Sequence, residues 1–300
     1  MKNEKLMKKL YEQWPFNFGA IHKQDFRKAK VVIAPVPYDS TSSFKGGMRE
    51  GPYAIIENSR YLDELLGDES ATDLVGVKAT DIFTLDEIVI SRNSAKEAID
   101  GVEQAIYDEV VKFNKIPLML GGEHSITLGA VKAMRKKYKD LSVLQFDAHP
   151  DLMNEYGGSK YSHACVMRRI QEQGIGVVQI GIRNTNTEIE EYIKKNKKLK
   201  IFEAPGLPSA DEVLTGLTKN IYLTFDLDAL DPSIMPSVGT PEPGGLLWHE
   251  TINFIEEISK HVNIVGADVV ELMPIPGLHA PDFLAAKLVY KIICSILRSE

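Results

Sequence analysis

Seven short runs of aliphatic residues constrain this chain more than any other feature. They are VVIAPV (31–36), IPLML (116–120), LSVLQF (141–146), VVQIGI (177–182), LKIF (199–202), IYLTF (221–225) and NIVGADVV (263–270). The apolar residues are nearly continuous rather than alternating, which is the signature of strands buried on both faces. Helical patterns lie between most of them. Residues 51–66 form one, with Pro52 near its first turn. Ser94 and Glu97 make a capping box that opens an amphipathic helix running through Phe113. Further helices are expected over Ile126–Tyr138, His163–Gln173, Thr187–Lys195, Ala210–Leu217, Leu247–Lys260 and Asp282–Leu297. Strands separated by helices predict an α/β fold with a mainly parallel central sheet covered on both sides.

The length of 300 residues is compatible with about two domains, but no linker, repeat or low-complexity tract divides the chain. The lysine-rich start, MKNEKLMKK, is followed by YEQWPFNF rather than an apolar segment, so it reads as a helical arm and not a secretory signal. No apolar run approaches the roughly 20 residues that span a bilayer. A net charge of −7 has the wrong sign for nucleic acid or an anionic membrane. Two cysteines, Cys165 and Cys294, supply neither a disulfide framework nor a thiolate metal site. These features predict a cytoplasmic protein with no nucleic-acid or membrane partner.

Ligands of parallel sheets bind beyond the carboxyl ends of the strands, and three of the runs end in metal-binding residue types. LMLGGEHSIT (118–127) delivers Glu123 and His124 after a Gly-Gly turn, LQFDAHPDL (144–152) carries Asp147, His149 and Asp151, and LTFDLDALDP (223–232) carries Asp226 and Asp228. Residues two apart in extended chain share a face, so each segment is expected to present its ligands together. Strand-end histidines and Asp-x-Asp turns are common for structural reasons when single. Three such segments at once are different, because that many like charges facing one way need a cation. The four aspartates and two imidazoles suit a pair of borderline-hard divalent ions, Mn²⁺ among them. A structural zinc site is disfavoured without cysteine.

GGEHS, FDAHPD, TFDLDALDPS with its continuation VGTPEPGGL (238–246), DVVEL (268–272) and the opening VPYDSTSSFKGGMREGP (36–52) resemble the ureohydrolases, the family of arginase, agmatinase and their relatives. The resemblance runs from about residue 30 to 290, leaving 1–29 as an N-terminal arm, so that 1–300 reads as one domain. It implies a three-layer α/β/α sandwich holding two Mn²⁺ per subunit, in a homo-oligomer of three or six chains. By the family pattern His124, Asp147, Asp151 and Asp226 would hold one ion. Asp147, His149, Asp226 and Asp228 would hold the other, with Asp147 and Asp226 bridging. Glu123 departs from the pattern, since many members carry Asp there.

The resemblance also implies the chemistry. Paired cations lower the pKa of a bridging water, and the resulting hydroxide attacks a guanidinium carbon that is a poor electrophile because its charge is delocalised. The products are urea and an amine, whose departure needs a proton. His163 matches the family's proton shuttle, Glu271 the carboxylate that pairs with the guanidinium, and Thr240 a weaker orienting group. Arginases hold an α-carboxylate partly through an Asn two positions after DAHxD. Here that position is Met153, with Asn154 next to it and Glu155 beyond. Residues 151–170 look instead like those of agmatinases, which favours agmatine, giving putrescine and urea, over arginine, guanidinobutyrate or an aminopropyl-substituted agmatine. Two readings from other classes are a single-zinc deacetylase of related fold and a non-catalytic scaffold. The complete ligand set and Glu271 oppose both.

Overall fold

The computed structural model describes residues 14–63, 65 and 77–298. In chain order the main elements are β1 (Val31–Val36), α1 (Gly51–Ser59), β2 (Ile82–Thr84), α2 (Ala95–Glu109), β3 (Ile116–Gly121), α3 (Thr127–Lys137), β4 (Leu141–Phe146), α4 (Val166–Gln171), β5 (Gly176–Ile182), α5 (Thr187–Lys195), β6 (Leu199–Glu203), α6 (Ala210–Leu214), β7 (Asn220–Asp226), α7 (Trp248–Ser259), β8 (Asn263–Val270) and α8 (Ala280–Arg298). The strands form one sheet in the order β2-β1-β3-β8-β7-β4-β5-β6, and every neighbouring pair is parallel. All seven expected strands are present. The eighth, β2, escapes the sequence because three residues at a sheet edge carry no readable period.

The continuous apolar runs are explained by the two layers that cover the sheet. Leu118, Leu120, Phe146 and Phe225 pack on one face with Ile55 and Ile56 of α1, Ile255 and Ile258 of α7, and Leu288 and Ile292 of α8. Met119, Val143, Val177 and Tyr222 pack on the other with Ile99, Val102 and Ile106 of α2, Val131 and Met134 of α3, and Ile170 of α4. Side chains alternate across the pleat, so each strand feeds both cores, and each buried aliphatic contributes about 1.5–3 kcal/mol. The fold is the three-layer α/β/α sandwich. Among the described residues, no helix is long and apolar enough to cross a membrane.

Some boundaries differ from expectation. Residues 51–66 do not stay helical: α1 stops at Ser59, whose hydroxyl donates to the Ile56 carbonyl and accepts from the Gly19 amide, tying the helix end to residues 17–20. Positions 64 and 66 lie outside the described residues, as does the expected helical arm over 1–9. The capping box at α2 is half formed. Ser94 accepts from the Glu97 amide at 3.2 Å, but the Glu97 carboxylate goes to Ser91 and Asn93, which fold over the helix start and win its oxygen. The reciprocal box forms instead at α6, between Ser209 and Glu212.

Candidate metal centre

Four neighbouring strands at the middle of the sheet, β3, β8, β7 and β4, point their carboxyl ends at one spot. After β3 the chain turns through a short 3₁₀ segment carrying His124, and β8 is followed by Glu271. Strand β7 ends in Asp226 with Asp228 in the next turn, and β4 is followed by Asp147, His149 and Asp151. His124 Nδ1 lies 3.1 Å from Asp147 Oδ2, 3.1 Å from Asp151 Oδ2 and 3.2 Å from Asp226 Oδ2. Beside it, His149 Nδ1 lies 2.9 Å from Asp228 Oδ2 and 3.7 Å from Asp147 Oδ1. Two groups could therefore each hold a metal ion: His124, Asp147 and Asp226, and Asp147, His149 and Asp228. Asp147 belongs to both. The second oxygen of Asp226 accepts the Asp228 amide at 2.9 Å.

The donor set fits divalent cations by its own electrostatics. Buried His124 Nδ1 has no hydrogen-bond partner although three carboxylates surround it. Its other nitrogen explains why. Tyr222, Thr127 and Thr224 all give their hydroxyl protons to buried Asp268, at 2.8, 2.8 and 2.6 Å. The Thr224 oxygen is thus left to accept from His124 Nε2 at 2.8 Å. One imidazole proton sits on Nε2, and Nδ1 faces the carboxylates. Burial opposes a second proton, but Asp147, Asp151 and Asp226 outweigh it and raise the ring well above its usual value, so that proton stands where a cation would bind. Burial and the charges of its neighbours push Asp151 up to about 7, and push Asp226 well above the usual carboxylate range. Burial opposes protonation of His149, but Asp228 and Asp147 outweigh it and raise the ring to about 12. Such strain in protonation is relieved when cations replace protons.

Residues 29–295 match the arginase family. The chain belongs to the arginase family. It is 39% identical to an N(1)-aminopropylagmatine ureohydrolase of Thermus thermophilus, over 89% of this chain and 90% of that one. It is 31% identical to the agmatinase of Pyrococcus horikoshii, over 90% and 93%. The solved agmatine ureohydrolase of Thermoplasma volcanium superimposes with a TM-score of 0.79 at 31% identity, covering 98% of both chains.

The arginase-family match spans every candidate residue, but the chain brings them together differently from the pleat-based expectation. Residues 147–151 are not extended. They bend past the end of β4, and Asp151 takes a left-handed conformation at φ 52°. Its oxygen thereby reaches His124 while its carbonyl accepts the amides of Met167 and Arg168 at the start of α4. Convergence comes from turns, not from alternation.

The cluster floors a cavity of about 490 Å³ lined in part by His163, Glu271, Thr240 and Met153. Glu271 adopts φ 69°, and its Oε1 accepts the His124 amide at 2.7 Å. Burial and the charge of Glu123 raise its pKa well above the usual range. Thr240 donates to Asp228 Oδ2 at 3.2 Å. His163 is drawn down to about 4, first by burial. Asn154 does not line the cavity, because its amide oxygen is taken by Arg169, and Glu155 does not line it either. Beyond the candidate ligands and Glu271, the carboxylate that lines it is Glu242, held by Asn184 at 2.6 Å. Sequence reasoning passed over Thr224, Asp268, Gln145 and Gln179. The signal was present: each is a polar residue inside an apolar strand run, and a buried polar group must be there for a partner. Gln145 donates to Asp147 at 2.5 Å, and Gln179 holds both Gln145 and the Pro150 carbonyl.

Proposed function

We propose that this chain is a manganese-dependent ureohydrolase that cleaves agmatine to putrescine and urea. The observation that carries the substrate is the lining of the cavity. Among the described residues, none of its side chains is Lys or Arg, while Asp151, Asp226, Asp228, Glu242 and Glu271 all contribute. An α-carboxylate, as in arginine or guanidinobutyrate, would find no Lys or Arg side chain there to pair with. A tail ending in an ammonium group finds a counter-charge in Glu242.

His124, Asp147, Asp151 and Asp226 would hold one ion, and Asp147, His149, Asp226 and Asp228 the other. When bound, paired divalent cations lower the pKa of water and supply a nucleophile near neutral pH. The chain's own residues do the rest. Glu271, held rigidly by its left-handed backbone and by the His124 amide, keeps an unshared oxygen for the substrate guanidinium and fixes the plane of the carbon under attack. A bound guanidinium offsets the burial that disfavours its charge. His163, which lines the cavity, would take the proton from the hydroxyl of the tetrahedral adduct and hand it to the departing amine. Thr240 keeps Asp228 oriented through its hydroxyl. The trimeric or hexameric assembly implied by the family belongs to the same reading and is checked by sedimentation.

A second reading is favoured by one observation. A further cavity of about 450 Å³ shares Pro150 and Asn184 with the first and is lined by Glu190 and Glu203 together with Lys194 and Arg183, whose guanidinium is turned onto backbone carbonyls. It would receive a longer cationic tail, as in an aminopropyl-substituted agmatine, the substrate named for the Thermus relative. Urea release from agmatine, N(1)-aminopropylagmatine, arginine and guanidinobutyrate, measured side by side in Mn²⁺, decides between them. Faster turnover of arginine than of agmatine rejects the proposal. Preference for the aminopropyl compound selects the second reading.

A further inference from the structure

A line of hydrogen bonds leads from the turn after β3 to His163, and the reaction derived above does not use it. Glu123 is fully buried beside His124, yet its carboxylate serves the loop after β1. Oε2 accepts the Thr41 amide at 2.6 Å, and Oε1 accepts the hydroxyls of Thr41 and Ser125, each at 2.5 Å. The two segments are pressed together. The Glu123 amide donates to the Tyr38 carbonyl at 2.7 Å, and a Cβ on Gly122 would stand 1.8 Å from that same oxygen.

The consequence falls on Thr41. A threonine hydroxyl has one proton, and here Glu123 takes it. Toward every other neighbour Thr41 can only accept. It accepts the His163 amide at 3.0 Å, and its oxygen lies 3.4 Å from His163 Nδ1. Ser162 Oγ also stands 3.3 Å from Nδ1, and Ser43 Oγ 3.3 Å from Nε2. An acceptor-only oxygen beside Nδ1 favours the ring proton there and leaves the lone pair on Nε2.

We propose that Thr41, clamped by Glu123, is a positioning residue for His163: it fixes the histidine at the cavity wall and orients its neutral ring with the proton on Nδ1. This rests on the reading of His163 as the proton carrier. The buried carboxylate thus acts two steps away from the reacting atoms, through a hydroxyl that has no choice of direction. Glu123, where the family often carries Asp, has one methylene more with which to reach that loop.

The test is a double-mutant cycle on the manganese-loaded enzyme. Thr41→Val keeps the shape and removes the acceptor. It is expected to lower kcat about 30-fold, with KM within about twofold and bound metal unchanged. Thr41→Ser restores the hydroxyl and should recover most of the loss. In a His163→Asn background Thr41→Val should cost nothing further, because its effect runs through His163. Nitrogen-15 chemical shifts of the His163 ring should report Nδ1–H in the parent and a mixture in Thr41→Val. If that variant does not fold, Glu123→Gln carries the same kinetic and spectroscopic test. An equal kcat loss from Thr41→Val in both backgrounds, or no loss in either, overturns the proposal. Full kcat in His163→Asn alone overturns instead the reading of His163 on which it rests.

Discussion

Asp268 shows how much a single buried side chain can decide in this molecule. It touches none of the candidate ligands directly, yet by absorbing the protons of Tyr222, Thr127 and Thr224 it turns the Thr224 oxygen toward His124 Nε2 and aims Nδ1 at the cluster. Asp268→Asn would allow Thr224 to rotate. Manganese affinity is expected to fall about 10- to 100-fold, the usual cost of losing such a supporting group, as measured by metal titration with folding unchanged by circular dichroism. Removal of a donor itself should be harsher. His149→Ala and Asp226→Ala are each expected to lose bound metal and nearly all urea release, and wild-type turnover from either without metal would sink the two-ion reading. The candidate ligands stood out because their types and spacing are unusual. Their supporting residues were not, because a Thr or Gln in a strand run looks ordinary until its neighbours across the sheet are known.

Strands and helices were the most readable level, and the reason is burial. A strand covered on both faces must be apolar throughout, so seven of the eight strands announced themselves. Helix ends were less readable, since Glu97 chooses between Ser94 and two loop residues on geometry that no local rule contains. Two consequences are testable at this scale. Phe146 and Phe225 lie opposite each other in register on β4 and β7, with ring centroids 5.1 Å apart. Phe225→Ala should cost about 3–5 kcal/mol in chemical denaturation, and a loss under about 1 kcal/mol would mean that the core collapses to fill the space. At the turn after β3, Gly122→Ala places a methyl group against the Tyr38 carbonyl. The expected cost is about 3 kcal/mol, at the upper end of overpacking penalties, together with lower kcat because the Thr41 loop is displaced.

For the whole molecule, the cluster couples folding, metal and pH. The metal-free chain must keep several acids together in a buried space, and burial together with the charge of Asp147 raises Asp151 to about 7. A raised carboxylate holds its proton until the pH passes that value, and cation binding displaces it. Metal affinity should therefore weaken as pH falls through about 7, and continue to rise above it while His149, raised to about 12, still holds a proton that the cation must displace. Titration calorimetry in buffers of different ionisation enthalpy should show proton release on binding, and affinity independent of pH between 5 and 8 would contradict this. Bound Mn²⁺ should also raise the melting temperature, with the increase growing with free metal concentration, and chelation should reverse it.

The sequence by itself determined the layered parallel sheet, the family and the identity of the candidate ligands, because burial on both faces and clustered donors leave marks in local composition. Tertiary structure alone decided how those donors meet. Residues 147–151 leave the strand and turn, Asp151 and Glu271 adopt left-handed backbones, and Glu242 rather than Glu155 faces the cavity. It alone also joined Glu123 to Thr41 across 82 positions of chain. Such pairings are set by which strands lie side by side in the sheet, and strand order is not written in any one segment.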